Sequence, residues 1–149
     1  MNHRIPLMAL LLGAALGVSS VQAETIEIKM RNRGEGGAMV YEPDFVRLAP
    51  GDRLKFLATN RTHNAASMPE ILPPAAKPFM GRIDEEIEVT FDEPGLYGIK
   101  CLPHYAMGMV MLVQVGDAPL SALQLPDSVP AKARERLQDI VTRQTRQTR

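Results

Sequence analysis

What constrains this chain most is a run of short apolar alternations, each broken by turn-forming residues. In TIEIKM the side chains of Ile26, Ile28 and Met30 alternate with polar neighbours. Leu54 and Phe56 do the same in LKFLA, and Ile87, Val89 and Phe91 in EIEVTF. A period of two sends successive side chains to opposite faces of an extended strand, so each burst reads as a strand with one buried face. Pro50-Gly51-Asp52 and Pro94-Gly95 precede strands and supply turns, because proline fixes φ and glycine accepts the positive φ of a tight turn. LYGIKC and VMLVQV add two strands. With no helical period between them, the body is expected to be an antiparallel sandwich or barrel.

The last thirty residues change period. In DSVPAKARERLQDIV, Ala133, Leu137, Ile140 and Val141 fall on one face of a helix, with Ser128 as its cap and Pro130 in its first turn. That helix is expected to dock on the sandwich. A shorter helical turn is expected in APLSALQL, and the closing TRQTRQTR, lacking an apolar face, is expected to fray.

At the other end, Arg4 precedes an apolar run from Leu7 to Val18, and Val21-Gln22-Ala23 places small residues where a signal peptidase reads. The run is shorter than the about 20 residues a membrane span needs. Residues 1–23 are therefore read as an export signal cleaved after Ala23, which places the mature chain in the periplasm. No other segment is apolar enough to cross a bilayer. The expected organisation is a signal over 1–23, one β domain over 24–116 and a helical extension over 117–149. The chain has 149 residues and 45% apolar content, enough for a single core.

Charge narrows the partners. The 17 basic and 17 acidic residues cancel, which argues against nucleic acid. The tail is locally basic, with Lys132, Arg134, Arg136, Arg143, Arg146 and Arg149 against Glu135 and Asp139.

One cysteine, Cys101, remains in a chain marked for an oxidising compartment, where an odd thiol needs a reason. Once the signal is removed the only histidines are His63 and His104. The segment Cys101-Leu102-Pro103-His104-Tyr105-Ala106-Met107-Gly108-Met109 has the spacing C-x2-H-x4-M. A thiolate and an imidazole three residues apart can reach one ion, and a thioether five residues on can approach it axially. Two imidazoles, one thiolate and a weak axial methionine make a blue copper site. His63, just after LKFLA, is the available second imidazole.

Each residue also has a plainer explanation. A lone Cys is most often a small buried hydrophobe, a lone His a hydrogen-bonded side chain, and a Met a core filler. Zinc would be the next metal, but closed structural zinc sites use no thioether. A nucleophilic Cys101–His104 pair is the enzymatic alternative; no oxyanion-hole pattern or third orienting group accompanies it. A copper delivery or storage module could use the same soft ligands, although such modules favour exposed Met- or His-rich sites, and Met30, Met39, Met68, Met80, Met107 and Met111 are scattered.

At these residues the chain resembles the pseudoazurins, small blue copper proteins of the cupredoxin family. The matching stretches are GAMVYEP, LAPGD, THN, PGLYGIKCLPHYAMGMV and VQVGDAPL. The resemblance implies a mainly β, cupredoxin-like Greek-key β-sandwich with a C-terminal helical extension. It implies one copper ion held by His63, Cys101, His104 and Met109, with Met107 not a ligand. Asn64 is similar to the family residue that ties the ligand-bearing segments together, and Met39 to one whose thioether lies near the ring of His104. Leu102 departs from the small hydroxyl residue usual there, and Arg33, Arg61 and Arg82 replace lysines.

The same resemblance implies a monomeric, non-enzymatic electron carrier that cycles Cu(II)/Cu(I). Its expected partners are an upstream electron donor and a periplasmic reductase, chiefly nitrite reductase of denitrification. Docking is expected near His104, on Pro103, Tyr105, Ala106, Met107 and Met39. A ring of Arg33, Arg61, Lys77, Arg82 and Lys100 would steer the encounter.

Overall fold

The computed structural model describes residues 22–148. Apart from its last two positions, the expected export signal lies outside the described residues. Among these residues no helix is long and apolar enough to cross a membrane.

Eight strands are formed by the described residues: β1 (Thr25–Gly34), β2 (Gly37–Glu42), β3 (Phe45–Leu48), β4 (Asp52–Leu57), β5 (Ala66–Ser67), β6 (Ile87–Phe91), β7 (Gly95–Lys100) and β8 (Val110–Val115). They make two four-stranded sheets, ordered β2-β1-β4-β6 and β3-β8-β7-β5. The chain is a cupredoxin-like Greek-key β-sandwich with a C-terminal helix, α1 (Ala131–Gln147).

Strand pairing is mixed, which corrects the expectation of a wholly antiparallel body. β1 runs parallel to β4, with Thr25 opposite Arg53, and β3 parallel to β8, with Phe45 opposite Leu112. Parallel neighbours cannot be joined by a tight hairpin. Between β1 and β4 the chain leaves for β3 in the other sheet and returns. Local alternation is blind to such crossings.

The alternation itself is realised in side-chain burial. On β1, Ile28 and Met30 are fully buried while Glu27 and Lys29 face out; Leu54 and Phe56 repeat this on β4. These side chains meet Ile99, Met111 and Val113 of the second sheet in the inter-sheet core. β8 is buried on both faces. Met111, Val113 and Val115 point into the sandwich, whereas Val110 and Leu112 join a second core with Ala133, Leu137 and Ile140 of α1. Burying side chains such as Leu137 and Ile140 contributes about 1.5–3 kcal/mol each, which is what holds the helix on the sheet.

Two expectations about the helix are corrected. Pro130, not Ser128, is the N-cap, and no side chain caps the first turn. The basic tail does not fray, since α1 continues through Gln147. Arg143 bonds Asp139 one turn earlier at 2.9 Å and Asp44, on the β2–β3 connection, at 2.7 Å. The hydroxyls of Thr142 and Thr145 donate to the Gln138 and Val141 carbonyls. These contacts extend the helix without an apolar face.

Candidate metal centre

Three segments converge at one end of the sandwich. Cys101 directly follows β7, and the chain then enters a 3-10 turn over Leu102–Met107 with Pro103 near its start. His104 leaves helical geometry within that turn, at φ −119 and ψ 16. Gly108 ends it at φ 87, and its N–H donates toward the His104 and Tyr105 carbonyls. The Met109 N–H donates to the His104 carbonyl at 3.1 Å, and the Cys101 N–H to the Met109 carbonyl at 3.0 Å. The loop is thus closed at its base by the first and last of the residues singled out in the sequence. His63 enters from the connection between β4 and β5.

His63 Nδ1 lies 3.1 Å from His104 Nδ1 and 3.7 Å from Cys101 Sγ, and His104 Nδ1 lies 3.5 Å from Cys101 Sγ. The point equidistant from three such atoms is about 2 Å from each, the length of a bond from a divalent first-row metal to imidazole nitrogen. Two imidazole nitrogens and one thiol sulfur therefore fit a single soft-to-borderline ion such as copper. Cys101, Met109 and His63 are fully buried, and His104 is half-buried. The Met109 side chain belongs to the same core cluster as Cys101.

Residues around the cluster set its orientation. The other ring nitrogen of His63, Nε2, donates to Asn32 Oδ1 at 2.8 Å, since a carbonyl oxygen can only accept. That bond selects the tautomer whose Nδ1 lone pair faces the cluster. Asn64 ties two segments together, accepting the Leu102 N–H at 2.8 Å and donating to the Gly81 carbonyl at 2.9 Å. Burial pushes the Cys101 thiol up, against the backbone groups of Asn64 and His104 that hydrogen-bond it. Burial also holds His63 below its ordinary value, the His104 ring adds to this, and the Asp84 carboxylate opposes it.

Asn32 and Asp84 were not anticipated from the sequence. For Asn32 a signal existed: the alternation Ile26, Ile28, Met30, carried two residues further, reaches Asn32 on the same side of β1, at the exposed end of the strand past the buried side chains. Met39 packs against the cluster containing Cys101 and Met109, and Arg136 of α1 donates to its carbonyl at 2.7 Å. Around His104, Leu102 and Met107 are exposed, as are Pro103 and Ala106. Tyr105 differs from expectation. Its hydroxyl is buried, and burial with the nearby Glu70 carboxylate pushes it up to about 12. Lys100 lies over its ring at 4.7 Å. Tyr105 packs against the second core beneath α1, so it roots the loop. Of the basic ring, Arg61 and Arg82 pair with Asp84 and Glu85.

A fold of this kind with this donor set defines a class, the small single-copper carriers. Residues 28–116 match the family described as copper binding proteins, plastocyanin/azurin family. The chain belongs to that family and, within it, to the pseudoazurins. It is 52% identical to the pseudoazurin of Paracoccus pantotrophus over 117 residues, covering 77% of this chain and 80% of the relative. Among solved structures it is similar to pseudoazurin from Methylobacterium extorquens AM1, with TM-score 0.71 and 39% identity, covering 80% of this chain and 98% of the other. The pseudoazurin of Hyphomicrobium denitrificans gives TM-score 0.73 and 37% identity, with coverage of 81% and 98%. The chain is a blue copper electron-transfer protein, and copper is its cofactor.

Proposed function

We propose that His63, Cys101, His104 and Met109 hold one copper ion, and that the protein works as a monomeric periplasmic shuttle, not an enzyme. It would take one electron from an upstream donor and deliver it to a periplasmic reductase, with nitrite reductase of denitrification as the intended receiver. The observation that carries this reading is the convergence of His63 Nδ1, His104 Nδ1 and Cys101 Sγ at 3.1–3.7 Å on a rigid frame.

When bound, copper supplies a centre that gains or loses one electron. The chain's part is to keep its donors fixed while the charge changes, because movement between the two states slows transfer. The Cys101–Met109 backbone bond, the Asn64 bridge and the Asn32 bond to His63 provide that constraint. His63 is sealed in the interior, whereas His104 is half-buried beside exposed Pro103, Ala106 and Met107. The His104 ring is therefore the port, and the apolar surface beside it lets a partner approach closely. Basic side chains of the expected ring, Lys100 over the Tyr105 ring among them, would steer an acidic partner and lose effect as salt rises.

The test is to add Cu(II) to purified protein and record the visible spectrum and a voltammogram. An intense thiolate-to-copper band with reversible cycling is expected, and Cys101→Ser should abolish the band. Colourless copper that a mild chelator removes would support the delivery or storage reading instead. For the partner, reduced protein mixed with a periplasmic copper nitrite reductase should be oxidised at a rate that falls with salt. Absence of oxidation would reject that receiver. Fractionation of the native cell tests the compartment.

A further inference from the structure

His63 reaches the centre from a connection without regular structure, so its position has to be fixed from outside that connection. One residue does this from both sides. Asp84 Oδ1 accepts the Thr62 N–H at 2.6 Å, and the Asp84 N–H donates to the His63 carbonyl at 2.8 Å. The two bonds bracket the His63 backbone and link the β4–β5 connection to the segment before β6.

The backbone there is held in an uncommon shape. Thr62 has φ 75 and Asp84 φ 63, both in the left-handed region. For a β-branched residue this conformation is a genuine outlier. Such geometry persists where the surroundings over-determine it. Here the Asp84 bracket is the visible cause.

Asp84 also brings charge. Its side chain is 33% exposed, and among the described residues its other oxygen meets the Arg61 Nε at 3.7 Å, on a side chain that is 91% exposed. An ion pair so solvated compensates little. The carboxylate therefore acts on its surroundings from a partly desolvated position, adjacent to the peptide that carries His63.

We propose that Asp84 is a positioning residue for electron transfer, whose two hydrogen bonds fix the His63 backbone and whose negative charge favours the oxidised, more positive state of the centre. This rests on His63 being a copper ligand. The carboxylate does not touch the reacting centre; it acts through Thr62, His63 and the field across them.

Two variants separate the roles. Asp84→Asn keeps a side-chain oxygen for the Thr62 N–H and removes the charge; Asp84→Ala removes both. In Asp84→Asn the midpoint potential should rise, so that at a fixed ambient potential the oxidised-to-reduced ratio falls about threefold or more. Its visible spectrum should be unchanged. In Asp84→Ala the same rise should come with amide exchange at Thr62 about tenfold faster or more, measured on the metal-free protein. A potential in Asp84→Asn that is unmoved or lower would overturn the electrostatic role. Unchanged Thr62 exchange in Asp84→Ala would overturn the positioning role. A copper band that survives His63→Ala would instead reject the ligand reading, and that outcome is independent of the other two.

Discussion

Gly108 and Lys132 meet with no room between them: a β-carbon on Gly108 would lie 2.9 Å from the Lys132 carbonyl oxygen. The first turn of α1 is thus seated against the end of the loop that carries Cys101, His104 and Met109. The helix is part of the loop's support.

Gly108→Ala should therefore destabilise the protein for two reasons. Alanine at φ 87 costs roughly 1–2 kcal/mol, and relieving the contact with the Lys132 backbone adds to that. A Tm lower by about 5–15 °C is expected in thermal unfolding. A thermal midpoint indistinguishable from the parent's would show that the helix does not press on the loop.

Asn32→Leu should leave the fold intact and loosen the centre. Without the Asn32 oxygen the His63 Nε2–H loses its acceptor, and the ring loses the bond that fixes its tautomer. Copper affinity should fall about 10–100-fold in competition with a chelator, as is usual when a ligand's outer hydrogen bond is removed. Unaltered affinity would mean the ring is held by packing alone.

Leu137→Ala should cost about 2–5 kcal/mol in urea unfolding, because Leu137 is fully buried between α1 and β8 and its removal opens a cavity. The copper band should persist in the folded fraction. A loss below about 1 kcal/mol would indicate that the helix docks through its ion pairs instead.

Acid should weaken the fold partly through Glu42. Its carboxylate accepts the Glu35 N–H and pairs with Arg31, and these contacts hold it below its ordinary value of 4.5. A carboxyl depressed in the folded state adds stability above its unfolded pKa, and that increment disappears as pH falls below 4.5 and through the folded value. Glu42→Gln should flatten the slope of stability against pH in that acid range and leave the neutral range sloping as before. An identical acid slope in the variant would assign the effect to other carboxylates.

Much of this architecture is written locally. β1, β4, β6, β7 and β8 announce themselves by alternation or apolar runs, and α1 by its spacing of Ala133, Leu137 and Ile140. β2 and β3 are harder to see, since β2 contains Gly37 and Met39 at positive φ and β3 is only four residues long. Cys101, His104 and Met109 are legible together because one loop carries all three. His63 is reached by elimination. Asp84 and Arg136 have no local signature: what they do depends on contacts with Thr62 and Met39, and such pairs are set by the path of the chain, not by any period within it. Asn32 does break the apolar face of β1. The order of the basic tail escapes a local reading for a related reason, since Arg143 finds Asp44 across the fold.

The parallel pairing of β3 with β8 has a bearing on how the protein comes to exist. Phe45 has to find Leu112, and neither β3 nor β7 has its full set of neighbours until β8 is available. The contacts that close the sandwich are therefore late and distant in the chain, which puts folding on a scale of milliseconds to seconds and leaves β3 without a partner in the meantime. A nascent chain ending before Val110 has an incomplete second sheet, so the frame that carries Cys101 at the end of β7 is not closed until β8 has emerged.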